Sequence, residues 1–146
     1  MDIQEIIGYR FCDQNLLQQA LVTPSYANDH KIESNDRLEF LGDRVLGLVV
    51  AERLYKQKGL RAGVMTDQMK AFVENAHLPI CAERLGLVVA GGDKQYTCPF
   101  AKVSKPGFLS IKQVADLVES LIGAVYLDGG LHAAAKVVGK ILVDKV

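Results

Sequence analysis

Five carboxylates in two short stretches have spacings suited to concerted chemistry. Asp36, Glu39 and Asp43 lie in N-D-R-L-E-F-L-G-D, residues 35–43, and separations of three and four put them on one helical face. Asp116 and Glu119, three apart in A-D-L-V-E-S, share a face in the same way. Acids of this kind have two accounts. One is a solvated helix start, where Ser34 or Asn35 supplies the cap and the macrodipole favours negative charge. The other is a divalent-cation site, because hard cations such as Mg2+ take carboxylate oxygens and keep several waters. A lone acid favours the first account. A second acidic pair on another apolar helix favours the second.

If the two stretches cross in a core, Glu39, Asp43, Asp116 and Glu119 converge. Four such groups without a cation push several of their pKa values upward and oppose folding. With one or two Mg2+ ions they form a site for phosphodiester hydrolysis, in which the metal activates a water and stabilises the leaving oxygen. That chemistry needs no histidine or cysteine nucleophile, and none is evident.

The elements that must hold these groups are helices. Residues 35–55 are apolar on nearly every side, as expected of a helix running through the middle of a bundle. Residues 110–127 are equally apolar, with Gly123-Ala124 allowing another helix to come close. Around them, Asp2 to Gly8 reads as a short helix, Asn15 as the cap of a helix over 16–22 that Thr23-Pro24 ends, and residues 26–34 as a loop. Helices are expected over 64–76, from His77 to Leu85, and from Leu131 to Val143 after an Asp128-Gly129-Gly130 turn. Residues 88–110, punctuated by Gly91-Gly92, Pro99, Pro106 and Gly107, form a long loop of the kind tied to function or mobility. No convincing strand appears, so the chain reads as all-α, a single domain over 1–146.

Composition narrows the function classes. A chain of 146 residues with 49% hydrophobic and 23% charged residues builds a core without disulfides or structural metal. No apolar run has the length of a membrane span, and the start carries Asp2 and Glu5 rather than a basic signal region. Cys12, Cys81 and Cys98 are odd in number and widely spaced, as in a reducing compartment; the cytoplasm is expected, an organellar matrix also fitting. His30, His77 and His132 lack ligand spacing and read as surface or loop residues. Seventeen basic and seventeen acidic residues cancel, which argues against a nucleic-acid binder unless bound metal supplies local positive charge.

Residues 35–43, followed by A-D-L-V-E-S-L-I-G-A-V-Y-L-D-G-G at 115–130, resemble the catalytic domain of the ribonuclease III family. The first block is similar to the family signature E-R-L-E-F-L-G-D and the second to its C-terminal acidic helix. L-L-Q-Q-A-L-V-T-P-S-Y near the start extends the likeness more weakly. The resemblance implies an all-helical endonuclease domain, built around two long buried helices, that cleaves double-stranded RNA with Mg2+, Mn2+ substituting. By motif position Glu39, Asp43, Asp116 and Glu119 are its metal-binding and catalytic acids. It also implies a two-fold homodimer, with Phe40 plugging into the partner and Asp36 beside the interface, in which each subunit cuts one strand and leaves a 3′ overhang. From the residues alone, Phe40 reads as ordinary core packing.

Three positions depart from the family pattern. Asp36 replaces a usual Glu, Arg61-Ala62-Gly63 lacks an acid common before the glycine, and Arg44 follows the signature Asp where a small residue is frequent, free to pair with an acid or a phosphate. No double-stranded-RNA-binding module follows the matched blocks. The chain is therefore read as a minimal enzyme, one that borrows RNA affinity from a separate partner, or a fragment. Lys70, Lys112 and Lys105 are the candidate phosphate contacts, Lys112 the best placed. A non-catalytic RNA-binding or ribosome-associated scaffold keeping the same fold is the competing function.

Overall fold

The computed structural model describes residues 1–74 and 77–142. In chain order it contains α1 (Ile3–Ile7), α2 (Gln14–Ala20), α3 (Pro24–His30), α4 (Asp36–Lys56), α5 (Ala62–Val73), α6 (His77–Leu85), β1 (Val89–Ala90), β2 (Tyr96–Thr97) and α7 (Ile111–Ile141). The two apolar helices of the sequence are α4 and α7, and the core is built where they cross. Leu38, Leu46 and Val50 of α4 are buried with Leu117, Leu121 and Val125 of α7. α7 is also long and apolar enough to pass for a membrane span, and many of its apolar residues are buried in this core.

Two glycines set how close the helices come. A Cβ on Gly42 would lie 1.7 Å from the carbonyl oxygen of Glu119, and one on Gly123 would lie 2.2 Å from that of Leu38. Backbone meets backbone, so no side chain fits at either position. Asn35 and Ser120 pin the same crossing. The Asn35 amide donates to the carbonyl of Ala20 (3.0 Å) and to Ser120 Oγ (3.3 Å), and Ser120 donates to the same Ala20 carbonyl (2.8 Å). Asn35 sits at the N-cap position, but its side chain makes no capping bond; Ser34 Oγ instead accepts from the Asp36 N–H.

Asp128 ties the start of the chain to the bend of α7. Its carboxylate accepts from Tyr9 Oη (2.6 Å) and from the backbone N–H groups of Cys12 (2.8 Å) and Asp13 (2.9 Å). The expected 128–130 turn is a bend within α7, with non-helical backbone at Gly130 (φ 87°), where glycine carries no Cβ penalty. α5 and α7 end at Val73 and Ile141; the expected end positions, Ala76 and Val143, lie outside the described residues.

Several sequence expectations are corrected. α2 is capped by Asp13, whose side chain accepts from the Asn15 N–H, so Asn15 is inside the helix. The loop expected at 26–34 is largely α3: Pro24 takes the first helical position, where its missing N–H costs nothing, and Tyr26 stacks on His30 one turn later. A two-residue antiparallel pair, Val89↔Thr97 and Ala90↔Tyr96, stands where no strand was expected. The 88–110 segment is anchored rather than loose. The Lys102 carbonyl accepts from the Thr23 N–H and hydroxyl, the Lys102 N–H donates to Leu21, and Ser104 bonds Asp29. No disulfide forms among the described residues, and Cys81 and Cys98 are buried. His77 packs on Phe72 and reaches Cys81 Sγ at 3.4 Å, so it is part of the α5–α6 contact rather than a surface residue.

Candidate metal centre

Three of the expected acids meet at the crossing. Glu39, one turn into α4, faces Asp116 and Glu119 of α7, and one carboxylate oxygen from each lies within 4.8 Å of the others. The glycine contact at Gly42 explains why: with the Glu119 carbonyl touching α4, the adjoining side chains have only each other to face. Asp43 stands outside this mutual group but hydrogen-bonds Glu119.

Lys112 and Arg44 each pair with one acid of the group, Asp116 and Asp43, and the other two carry raised pKa values. Glu119 is 5% exposed; burial, then the hydrogen bond and charge of Asp43, then Glu39 and Asp116, push its carboxyl up to about 9. Burial and the neighbouring Asp116, which also hydrogen-bonds it, raise Glu39, and Asp36 adds to the same effect. At neutral pH Glu119 therefore holds a proton. The donor set is all carboxylate oxygen, close together and disfavouring its own charge, which is what a hard divalent cation reverses. The residues fit Mg2+ or Mn2+, with Glu39, Asp116 and Glu119 as holders and Asp43 at the margin.

Among the candidate RNA contacts, Lys112 is at the site but engaged. Its Nζ lies 3.0 and 3.3 Å from the two Asp116 oxygens, and that bond, with the Asp116 charge, holds the ammonium pKa up. Lys70 is exposed on α5, and Lys105 lines a hollow with Tyr26, Asp29 and His30; neither joins the acid group. Asp36 is exposed, its Oδ1 accepting from the Arg37 N–H. Phe40 is 52% exposed, which excludes the core-packing account. Arg44 pairs with Asp43 and lies over the Phe40 ring, 4.3 Å from its centroid. Sequence reasoning missed Asn35–Ser120 and the role of Gly42. Their signals are a glycine inside an apolar helix and a serine beside an acid in another.

A mainly helical domain whose two core helices bring three facing acids together defines a structural class. Residues 13–146 match the family model described as Ribonuclease-III-like, and the chain belongs to that family. It is 37% identical to ribonuclease 3 of Symbiobacterium thermophilum, over 92% of this chain and 55% of that protein. With ribonuclease 3 of Caldanaerobacter subterraneus it shares 37% identity over 99% of this chain and 64% of the relative. The chain thus spans between about half and two thirds of the length of the curated relatives it matches. Its fold is similar to that of the nuclease domain of ribonuclease III from Campylobacter jejuni, with a TM-score of 0.80 and 30% identity, covering 97% of this chain and 94% of that one. That structure is described as having a flexible region involved in dimer formation.

Proposed function

We propose that this chain is an endoribonuclease that hydrolyses double-stranded RNA with Mg2+, working as a two-fold homodimer whose two acidic sites each cut one strand and leave a 3′ overhang. The observation that carries it is the meeting of Glu39, Asp116 and Glu119 at the α4–α7 crossing, in a chain of this family. Bound Mg2+ supplies an activated water and charge stabilisation at the leaving oxygen. The protein's part is to hold that ion through Glu39, Asp116 and Glu119, with Asp43 close enough to join. Lys112 orients the Asp116 carboxylate, and Gly42 and Gly123 fix the distance between the two acid-bearing backbones.

An exposed apolar side of α4 supports the dimer. Phe40, Leu48 and Tyr55 are exposed, and Leu48, Tyr55, Met65 and Met69 line a groove of about 560 Å³ between α4 and α5. Paired sites suit a duplex, whose antiparallel strands are related by a pseudo-two-fold axis. Duplex RNA is read by shape and backbone contact, for which Lys70 and Lys105 remain exposed. A neutral chain has little phosphate affinity of its own, so a separate RNA-binding partner or segment adds to it.

The test is cleavage of a perfectly paired RNA duplex at low salt, with Mg2+ and then with EDTA, beside single-stranded RNA and duplex DNA. Mg2+-dependent products from duplex RNA alone are expected. A folded, dimeric sample that cleaves nothing would instead support the scaffold function.

A further inference from the structure

Arg44 sits beside the acids, yet the proposed chemistry does not use it. Its Nη1 donates to Asp43 Oδ2, and its Cζ lies 4.3 Å from the Phe40 ring centroid. Phe40 and Arg44 are four apart on α4, so the helix itself sets the stack. The guanidinium is planar and permanently charged, suited to gripping a carboxylate while lying flat on a ring. Its grip falls on the one acid of the four that stands outside the mutually close group. Asp43 is thus held from two sides, by Glu119 toward the core and by Arg44 toward solvent.

We propose that Arg44 is a positioning residue: an internal counter-ion, parked on the Phe40 ring, that keeps the Asp43 carboxylate at the edge of the acid group, bonded to Glu119 but outside the close set of Glu39, Asp116 and Glu119, and yields it when a divalent cation binds. This inference rests on the metal centre proposed above. The Asp43–Arg44 pair is substantially exposed, with side chains 45% and 65% accessible, so its hold is weak enough for a doubly charged ion to break. The guanidinium also opposes that ion by simple repulsion. Both effects have the same sign, so removing Arg44 tightens metal binding. A residue that merely supported the fold would weaken it when removed.

The experiment is Mn2+ binding to the whole chain, without RNA, by titration calorimetry and by the electron paramagnetic resonance signal of the free ion. Arg44→Gln, which keeps length and polarity but not charge, is expected to bind Mn2+ about threefold or more tightly than the parent chain. Arg44→Lys, which keeps the charge but cannot lie flat and fork, is expected to fall between them. An affinity in Arg44→Gln equal to or weaker than that of the parent overturns the role of Arg44. A parent chain that binds no Mn2+ overturns the metal centre itself, which is a separate failure.

Discussion

Glu119 and Asp128 are carboxylates on the same helix, and their surroundings are opposite. Asp128 faces donors: Tyr9 Oη and two backbone N–H groups. The Tyr9 bond, followed by those N–H groups, holds it below the usual carboxylate range despite some desolvation, while burial and Asp128 push Tyr9 up to about 12. Glu119 faces other acids and is raised to about 9. A carboxylate supplied with donors is a structural joint, here fastening the first turns of the chain to the bend of α7. One supplied with acceptors is destabilised until a cation arrives, and such an arrangement persists only where something else holds it in place. The glycine contacts do the holding.

The largest effect is expected from breaking that support. Gly42→Ala forces a methyl into the Glu119 carbonyl and should cost about 3 kcal/mol or more, seen as a large fall in Tm together with loss of Mn2+ binding. Retention of both would show that the crossing does not place the acids. Next is Glu119→Gln, which keeps shape and removes the ionisable group. Cleavage of duplex RNA should drop by about 100-fold or more, while Tm without metal holds steady or rises, because the replaced group is one that resists ionisation. Asp128→Asn should do the reverse. It weakens the Tyr9 joint by about 1 kcal/mol and leaves cleavage by the folded protein nearly unchanged.

The smallest and most discriminating effect is in pH. Glu119 has a folded pKa above its unfolded value, so its contribution to stability is fully present below pH 4.5 and is lost as pH rises toward about 9. Asp128 is lowered from 3.8, so its contribution is present above that value and lost on acidification through its folded pKa. In EDTA, Tm should therefore decline between pH 5 and 9, as the Glu119 shift requires; saturating Mg2+ or Glu119→Gln should flatten the decline, and Asp128→Asn should not. Thermal denaturation across that range checks all three.

The sequence was most legible where one pattern served one purpose. Both core helices, the acids they carry and the need for a close approach at Gly123 follow from periodicity and residue type. Gly42 carries the matching half of that approach, but an isolated glycine in a helix has many readings, and only the facing carbonyl of Glu119 selects one. Thr23-Pro24 was legible as a helix end but not as the start of α3, because proline both terminates one helix and opens the next. The anchoring of residues 101–104 was illegible, since it runs through the backbone groups of Leu21, Thr23 and Lys102, and backbone bonds leave no mark on side-chain pattern. Arg44 was visible as a departure, and its pairing with an acid was one of two options. The cluster's membership depends on rotamers, which spacing along a helix does not determine, so Asp43 and Lys112 were placed at the site without their present partners.

The Asn35–Ser120 bond joins residues 85 positions apart in the chain, and the acids flank that bond on both helices. Closing a loop of that size is slow relative to forming either helix alone. Glu39, Asp116 and Glu119 therefore meet only once the two helices have docked at this crossing. The onset of Mn2+ uptake after dilution from denaturant is expected to time the docking of α4 on α7 rather than the formation of either helix.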